Sequence, residues 1–407
     1  MSVVRRRAAA ALAALVAVAA LAAAAPAPGE ARAPGGARAS GKGGAPGAGG
    51  AEVLRRDTAA VHRAGAVGAA AVLDTPSGTA AARAGEADVR TGAPMRTDAH
   101  YRAGSTVKTL VATVALQLVG EGRLALEDTV DRWLPGVVSG HGNDGRRITV
   151  RQLLQHTSGL RGYTSIREVF PAGYSARGYY ENRFRHYTAG ELVAAAVGHP
   201  PNSEPGAAYR YSNTNYVLIG MIIERVTGHP WRAEVHDRVI RPLGLTGTSL
   251  PGDHPYLPAP YAHGYHTYAE DGRRVDTTVF NSTAADASGD LVTTPHDVNR
   301  FFRALITGRL LRPAELAEMR RTVPIPDEPG RRAGLGLETT PLSCGGFYWH
   351  HGGNALGYSS ENGVTTDGRR AVTVSANSFD ESDTGRQERA DQAVKALIDH
   401  ALCGRDG

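Results

Sequence analysis

Strand-like segments lie at both ends of this sequence, and helical periodicity fills most of the stretch between them. Short apolar runs bounded by turn residues favour strands, whereas apolar residues that recur every three or four positions favour helices. Strands are predicted over Ala64–Asp74, Thr79–Val89, Gly345–His350, Gly357–Glu361 and Ala371–Asn377. Helices are predicted over about Thr106–Glu121, Asn213–Val226, Pro295–Thr307 and Asp391–Leu402, with another from near Thr149.

This arrangement predicts one α/β (α+β) lobe that a helical insertion interrupts. The α/β lobe is expected over about residues 53–115 and 275–407, and the mainly helical lobe over about residues 116–274. The turn residues Pro76–Gly78 join the first two strands into a predicted β-hairpin. With 407 residues, the chain is long enough to bury a sizeable core.

The first part of the chain has the features of an export signal. Arg5–Arg7 precede an unbroken small and apolar run, Ala8–Ala25, which predicts a signal peptide over about residues 1–33. Residues 34–52 are rich in Pro, Gly and Ala, which predicts a flexible linker ahead of a folded domain at 53–407. We therefore expect a secreted protein. An uncleaved membrane anchor is the alternative, although alanine is only weakly hydrophobic.

The net charge of +5 belongs to this leader. Residues 1–50 hold six basic side chains and one acidic side chain, so the rest of the chain is formally neutral. A neutral domain gives no electrostatic reason to expect a nucleic-acid partner. We expect a monomer.

The sequence has only two cysteines, Cys344 and Cys403. Export favours a disulfide between them, and closing a loop of about sixty residues would stabilise the fold by about 4 kcal/mol through chain entropy. Two buried free thiols are the alternative. Two cysteines alone make no zinc site.

Ser105 and Lys108 form the most informative pair of polar residues. Three residues apart on a helix, they share one face, and Gly104 marks the start of that helix, where the dipole stabilises negative charge. A serine needs a base to become a nucleophile, and a lysine can serve if burial keeps it neutral. The chain has only three lysines, the others being Lys42 and Lys395. Arginine could not replace lysine in this role.

Tyr211-Ser212-Asn213 is a second candidate group. A tyrosine hydroxyl can relay protons, and an asparagine amide can hold a lysine or a substrate amide. Tyr180-Glu181-Asn182 has the same spacing, but it reads as a solvated loop. We prefer Tyr211 because an apolar helix follows it directly.

His350-His351-Gly352-Gly353-Asn354 is the third group. A histidine can donate or accept protons, and glycines on a strand let a substrate backbone come close. Both His350-x-Gly352 and His351-x-Gly353 fit this pattern. Adjacent histidines on a strand face opposite ways, which argues against a metal site. The sequence lacks a nucleophile elbow, a Walker loop and a dinucleotide fingerprint, so we expect no cofactor and no ordinary α/β-hydrolase.

Together these segments resemble the serine β-lactamase-like hydrolases, particularly class C β-lactamases and secreted D-alanyl-D-alanine carboxypeptidases. The resemblance covers about residues 60–402 and follows the family's order of Ser-x-x-Lys, Tyr-x-Asn and His-x-Gly. Family spacing selects His351, six residues before Gly357. The segments that carry it are Tyr101–Lys108, Glu121–Pro135, Ile148–Leu160 (ITVRQLLQHTSGL), Tyr211–Asn213 with the helix that follows, Arg241–Leu250 and His351–Tyr358.

The resemblance implies a two-lobe penicillin-binding fold, with an antiparallel sheet flanked by helices and a mainly helical lobe. It implies that Ser105 becomes acylated, that Lys108 and Tyr211 share its proton, and that His351 stands where other members have Lys or His. The backbone amides of Ser105 and Asn354 would form the oxyanion hole. The implied substrate-binding residues are Asn213, Gly352, Gly353 and Asn354, and the implied disulfide is Cys344–Cys403.

Three residues depart from the carboxypeptidase pattern. Gly352 and Asn354 stand where that group has threonines, and Glu338 stands where it has an arginine for the substrate carboxylate. A terminal carboxylate needs donors or a cation, so these changes weaken the carboxypeptidase interpretation. The first hypothesis is nonetheless a D-alanyl-D-alanine carboxypeptidase or close peptidase. The alternatives are an esterase or a class C-like β-lactamase, and a catalytically idle protein that binds peptidoglycan peptides.

Overall fold

The computed structural model of the protein describes residues 48–404. Helices separate two groups of strands and also stand at both ends of the described chain. The helices are α1 (Ala48–Arg63), α2 (Val107–Gly120), α3 (Val130–Trp133), α4 (Val150–Leu154), α5 (Ala176–Asn182), α6 (Ala189–Val197), α7 (Asn213–Thr227), α8 (Trp231–Val235), α9 (Arg241–Leu243), α10 (Pro295–Ile306), α11 (Pro313–Met319) and α12 (Thr384–Cys403).

The strands form a large antiparallel sheet with three small sheets around it. They are β1 (Gly68–Thr75), β2 (Gly78–Asp88), β3 (Ala93–Pro94), β4 (Tyr101–Arg102), β5 (Ser139–Gly140), β6 (Asn143–Asp144), β7 (Tyr265–Thr267), β8 (Arg274–Asp276), β9 (Val292–Thr293), β10 (Val323–Pro324), β11 (Arg332–Ala333), β12 (Glu338–Pro341), β13 (Phe347–His350), β14 (Gly353–Ala355), β15 (Tyr358–Thr365), β16 (Ala371–Ala376) and β17 (Ser378–Asp380). The large sheet has the order β10-β11-β12-β13-β15-β16-β1-β2-β3, with β14 paired to β15.

The strand β1 lies between β2 and β16, and both pairings are antiparallel. An early strand therefore pairs with one of the last strands, which confirms the predicted meeting of the two ends of the chain in one sheet. The strands of the large sheet come from residues 68–94 and 323–376, and helices α2 to α11 lie between them in the sequence.

Helices cover both faces of the large sheet. On one face α1 packs against β1 and β2 and α12 packs against β15 and β16, and Val61, Val374 and Leu397 belong to a common core. On the other face α10 packs against β1, β15 and β16. The core on that face includes Phe301 of α10 and Leu110 of α2, which places α2 inside the molecule.

Helix α1 was not predicted, and it overlaps the predicted linker over residues 48–52. Residues 48–52 are therefore helical, whereas the prediction placed them in the flexible linker ahead of the domain. Leu54, Thr58 and Val61 are buried at spacings of four and three residues, so one face of α1 packs on the sheet. The predicted signal peptide and the rest of the linker lie outside the described residues.

The other long elements follow their predictions closely. The hairpin is confirmed as β1 and β2, and α2, α7 and α10 begin and end within two residues of the predicted bounds. The strands β13, β15 and β16 are also confirmed, with β15 extended to Thr365. Helix α12 begins at Thr384, seven residues earlier than predicted. Polar residues fill its first two turns, so the apolar periodicity on which the prediction depended starts later. Within residues 48–404, no helix is both long and apolar enough to span a membrane.

The predicted disulfide between Cys344 and Cys403 is present. It links the turn before β13 to the last residue of α12, across a sequence separation of 59 residues. The bond therefore ties the C-terminal helix to the large sheet.

Replacing Cys344 and Cys403 together by serine is expected to lower the free energy of unfolding by up to about 4 kcal/mol, because the unfolded chain gains the entropy of an open loop. Urea denaturation of the double variant and of the wild type measures the difference. Wild-type protein treated with a reductant is the matched control and should behave like the variant. Equal stability of oxidised and variant proteins would contradict the expectation.

Candidate active site

Ser105 lies in a tight helical turn, Gly104–Thr106, that leads directly into α2. The first N–H groups of a helix have no partner inside that helix, and they stand at the positive end of its dipole. The Ser105 amide is one of these groups. The turn therefore offers both a hydroxyl group and a backbone donor for an oxyanion at the same residue.

Lys108 is fully buried one turn further along the helix. Its Nζ lies 2.9 Å from Ser105 Oγ, 2.7 Å from Asn213 Oδ1 and 2.6 Å from the carbonyl oxygen of Ser288. Burial lowers the pKa of the Lys108 ammonium well below its usual value. The two oxygens of Asn213 and Ser288 can only accept, so they take the two N–H bonds of a neutral amine. The lone pair is then left facing the Ser105 hydroxyl.

Tyr211, two residues before the start of α7, also contacts the Ser105 hydroxyl. Its hydroxyl donates to Ser105 Oγ at 2.8 Å, and its ring lies 4.9 Å from Lys108 Nζ. The ring is 41% exposed, but burial of its hydroxyl end in the site raises the pKa of Tyr211. Burial therefore favours a neutral Lys108 and a protonated Tyr211, the states in which the lysine can accept a proton and the tyrosine can donate one.

Asn213, the first residue of α7, holds the lysine. Its Oδ1 accepts from Lys108 and its Nδ2 donates to Thr164 Oγ1 at 3.1 Å. The sequence implied a substrate contact for this side chain, whereas its hydrogen bonds here are internal ones. Asn213 also lines the cavity in front of Ser105.

The backbone of β14 lies against the Ser105 turn. A β-carbon at Gly353 would lie 2.0 Å from the Ala103 carbonyl oxygen and 2.8 Å from Ser105 N. A β-carbon at Gly104 would lie 2.2 Å from the Asn354 carbonyl oxygen. Only glycine permits this approach at both places. It brings the backbones of Ser105 and Asn354 to the edge of one cavity, the arrangement that an oxyanion hole requires.

The two neighbouring histidines have different surroundings. His350 lies on β13 with Nε2 2.9 Å from Thr340 Oγ1, and burial lowers its pKa to about 3. His351 is 4% exposed, its Nδ1 lies 2.8 Å from the Gly352 carbonyl oxygen, and Thr106 Oγ1 donates to the His351 carbonyl oxygen. Burial lowers the pKa of His351, and the nearby Glu338 carboxylate offsets part of this effect. The His351 ring makes no hydrogen bond to Ser105, Lys108 or Tyr211.

Tyr180 is remote from these groups. It lies on α5, not in the loop that the sequence predicted, and its ring is 48% exposed beside Tyr179 and Arg183. Its hydroxyl makes no hydrogen bond to the residues around Ser105. The structure thus brings together Ser105, Lys108, Tyr211 and Asn213, and leaves the second Tyr-x-Asn group outside the site.

His156 is part of the site and was not assigned a role from the sequence. Its ring stacks on Tyr211 with centroids 4.3 Å apart, and its Nδ1 accepts from Ser212 N and Asn215 Nδ2, each at 3.2 Å. Burial lowers its pKa well below the usual value. His156 therefore fixes both the ring of Tyr211 and the turn before α7. The sequence signal for His156 was the segment QHTSG, which contributes to the family resemblance but gave this histidine no role of its own.

The cavity in front of Ser105 has a volume of about 240 Å³. Ser105, Gly104 and Asn354 form one end of it, and much of the wall is apolar. Aromatic and aliphatic wall residues include Phe170, Phe280, Leu291, Leu356 and Phe379. Within residues 48–404, no cluster of three or more His, Cys, Asp or Glu side chains has the arrangement of a metal site.

The profile of the family described as Beta-lactamase matches residues 18–396. The chain belongs to the β-lactamase family. Its fold is the β-lactamase and penicillin-binding type, and the protein is a serine hydrolase of that superfamily. The predicted family and fold are therefore confirmed.

Relatives of this β-lactamase-family chain differ in their reactions. The esterase EstB of Burkholderia gladioli is 36% identical over 163 residues, which cover 40% of this chain and only 41% of the esterase. The crystal structure of a D-stereospecific amidohydrolase from Streptomyces sp. is 39% identical, with a TM-score of 0.78 over 87% of this chain and 99% of that one. The D-amino acid amidase from Ochrobactrum anthropi SV3 is 28% identical, with a TM-score of 0.73 over 85% and 98%.

The carboxyl group of Glu361 lies directly against Gly352. A β-carbon at Gly352 would lie 2.2 Å from Glu361 Oε1, so a larger residue there would displace the carboxyl. That carboxyl makes no hydrogen bond or ion pair to another residue in 48–404. Burial raises its pKa to about 7.

Replacing Glu361 by glutamine is expected to stabilise the protein at pH 8.5 by about 1–2 kcal/mol and to change nothing at pH 4. A carboxyl with a raised pKa in the folded state favours folding below its unfolded pKa and loses that contribution as pH rises through 7. Glutamine is neutral throughout. Urea denaturation at both pH values measures the effect, and Glu388→Gln, on the exposed side of α12, is the control. A pH-independent difference would contradict the expectation.

Proposed function

We propose that the protein is a serine amidohydrolase that cleaves short amides or peptides of D-amino acids through an acyl-enzyme on Ser105. The hydrogen bonds around Lys108 support this proposal most directly. Asn213 and Ser288 fix its N–H bonds and leave its lone pair for the Ser105 hydroxyl. A lysine held in this way takes the serine proton as the oxygen attacks a carbonyl carbon.

The Tyr211 hydroxyl supports an amide bond as the target. An amine is a poor leaving group until it is protonated, whereas the alcohol of an activated ester leaves without help. Tyr211 keeps its proton and lies 2.8 Å from Ser105 Oγ, so it is placed to protonate the departing amine. The proton that Lys108 took from the serine then replaces the one that Tyr211 gave.

The charges around the site favour an amidase over a carboxypeptidase. Glu338 is buried and forms an ion pair with Arg331, which also pairs with Glu328. Arg102 on the cavity wall is 3% exposed, and its guanidinium donates to Thr278 O, Pro255 O and Ser282 Oγ. Neither arginine is left open for a terminal substrate carboxylate. The similarity to the Streptomyces and Ochrobactrum enzymes supports D-configured amides.

The test compares four kinds of substrate with wild-type protein and Ser105→Ala. They are D- and L-phenylalanine amide, a peptide ending in D-alanyl-D-alanine, a chromogenic cephalosporin and p-nitrophenyl acetate. We expect ammonia release from the D-amide, a slower reaction of the L-amide, and no turnover by the folded Ser105→Ala protein.

Each other outcome selects another hypothesis. Faster release of D-alanine than of ammonia would restore the carboxypeptidase, and consumption of the cephalosporin alone would indicate a β-lactamase. Turnover of the ester alone would indicate an esterase, the activity named for the Burkholderia relative. A folded wild-type protein that turns over none of the four would be a binding protein.

We also propose that the protein acts outside the cytoplasm. The basic and apolar leader supports export, and the Cys344–Cys403 bond fits an oxidising compartment. Fractionation of expressing cells, followed by N-terminal sequencing of the exported form, tests this. A full-length product that stays in the cytoplasm would contradict it.

A further inference from the structure

The cavity that begins at Ser105 also contains a carboxylate, that of Glu381. This side chain is 34% exposed, and the nearest basic group is His266 Nε2, 3.5 Å from Glu381 Oε2. The carboxylate accepts no hydrogen bond from another residue in 48–404. The backbone N–H of Glu381 donates to Thr267 O, which fixes the residue beyond the end of β17.

The neighbouring His266 is aimed at this carboxylate and is otherwise unpartnered. It is 3% exposed, and its Nδ1 accepts the backbone N–H of Gly357 at 3.3 Å, so the ring proton lies on Nε2. That Nε2 is buried without a hydrogen-bond partner. The ring lies against Phe379, with centroids 5.7 Å apart, and against Tyr268 at 4.3 Å. The buried imidazole of His266 is thus held in place beside the Glu381 carboxylate.

We infer that Glu381 binds the amino-terminal ammonium of the acyl part of the substrate, in the cavity that Ser105 also lines. This inference rests on the proposed acyl-enzyme hydrolysis. The aromatic side chains Phe379, Phe170 and Phe280 line the same cavity. Aromatic faces and a carboxylate attract an ammonium group, whereas they repel or fail to hold a carboxylate.

The experiment measures binding to Ser105→Ala protein by calorimetry, so that it does not depend on turnover. The probes are D-alanyl-D-phenylalanine amide and its N-acetyl form. We expect the free amine to bind at least about tenfold more tightly than the acetylated form. Glu381→Gln in the same background should remove this preference, Glu381→Lys should invert it, and Glu388→Gln should leave it unchanged.

Equal affinity for the two probes, or a preference that survives Glu381→Gln, would overturn the inference. Tighter binding of an N-succinyl form would do so as well, because that probe carries a carboxylate in place of the ammonium. The same pair of probes with wild-type protein separates this failure from that of the proposed function. Turnover of both amides without discrimination refutes only the ammonium site, whereas absence of amide turnover refutes the amidohydrolase.

Discussion

Replacing Lys108 by arginine is expected to lower kcat/KM by about 10³-fold for both p-nitrophenyl acetate and a D-amino-acid amide. Arginine keeps a positive charge near Ser105 but cannot lose its proton at working pH. If Lys108 acts as a neutral base, a permanent cation in its place cannot accept the serine proton. The rate of acylation in a single turnover measures the loss directly.

Lys395 supplies the matched control, because it is the second lysine in the described chain and lies exposed on α12. Lys395→Arg should leave kcat/KM unchanged. In the wild type, kcat/KM should fall tenfold per pH unit as pH drops through the lowered pKa of Lys108, because the protonated amine has no lone pair. An arginine variant with nearly full activity, or a rate that rises as the pH falls, would refute the lysine as base.

Replacing His156 is expected to lower kcat by about 10- to 100-fold with little change in KM, because His156 positions Tyr211 and does not touch the substrate. His156→Phe keeps a ring against Tyr211 but removes the acceptor for Ser212 N and Asn215 Nδ2. His156→Asn keeps an acceptor near the place of Nδ1 but removes the stacking. Each should retain part of the activity that His156→Ala loses.

A double-mutant cycle distinguishes positioning from a general loss of stability. In a Tyr211→Phe background, the His156 substitutions should cost little further activity, since the group they position is already gone. Urea denaturation of every variant supplies the stability comparison. If the losses from His156 and Tyr211 simply add, His156 does not act through the tyrosine.

The long elements of the fold could be predicted because each packs one face on the core, and this packing leaves a regular spacing of apolar residues in the sequence. In α2, α7 and α10 apolar residues recur at helical spacing, β1 contains a continuous apolar run, and β16 has apolar residues at every second position. Helix α1 was missed because its buried face includes the polar residues Asp57 and Thr58 and directly follows a stretch rich in Pro and Gly. Short strands such as β7 and β17 depend on pairing with each other, a long-range contact that local sequence does not encode.

The candidate site could be predicted only as far as residue spacing reaches. Ser105 and Lys108 follow from helix geometry, and the choice of Tyr211 followed from the helix behind it. The contact of His156 with Tyr211 joins positions 55 residues apart, and the packing of Glu361 on Gly352 joins β15 to the residue before β14. Such contacts can be recognised only in the folded structure. The same is true of the hydrogen bond by which Asn213 holds the Lys108 amine.

Because β1 pairs with β16, as in the register of Ala70 with Ser375, the central sheet cannot close until nearly the whole chain has left the ribosome. At about 5–20 residues per second, some 300 residues take about 15–60 s to be made. During that time Ser105 has been synthesised but β14, which completes its surroundings, has not. The growing chain therefore carries an inert serine, and hydrolysis begins only after synthesis ends.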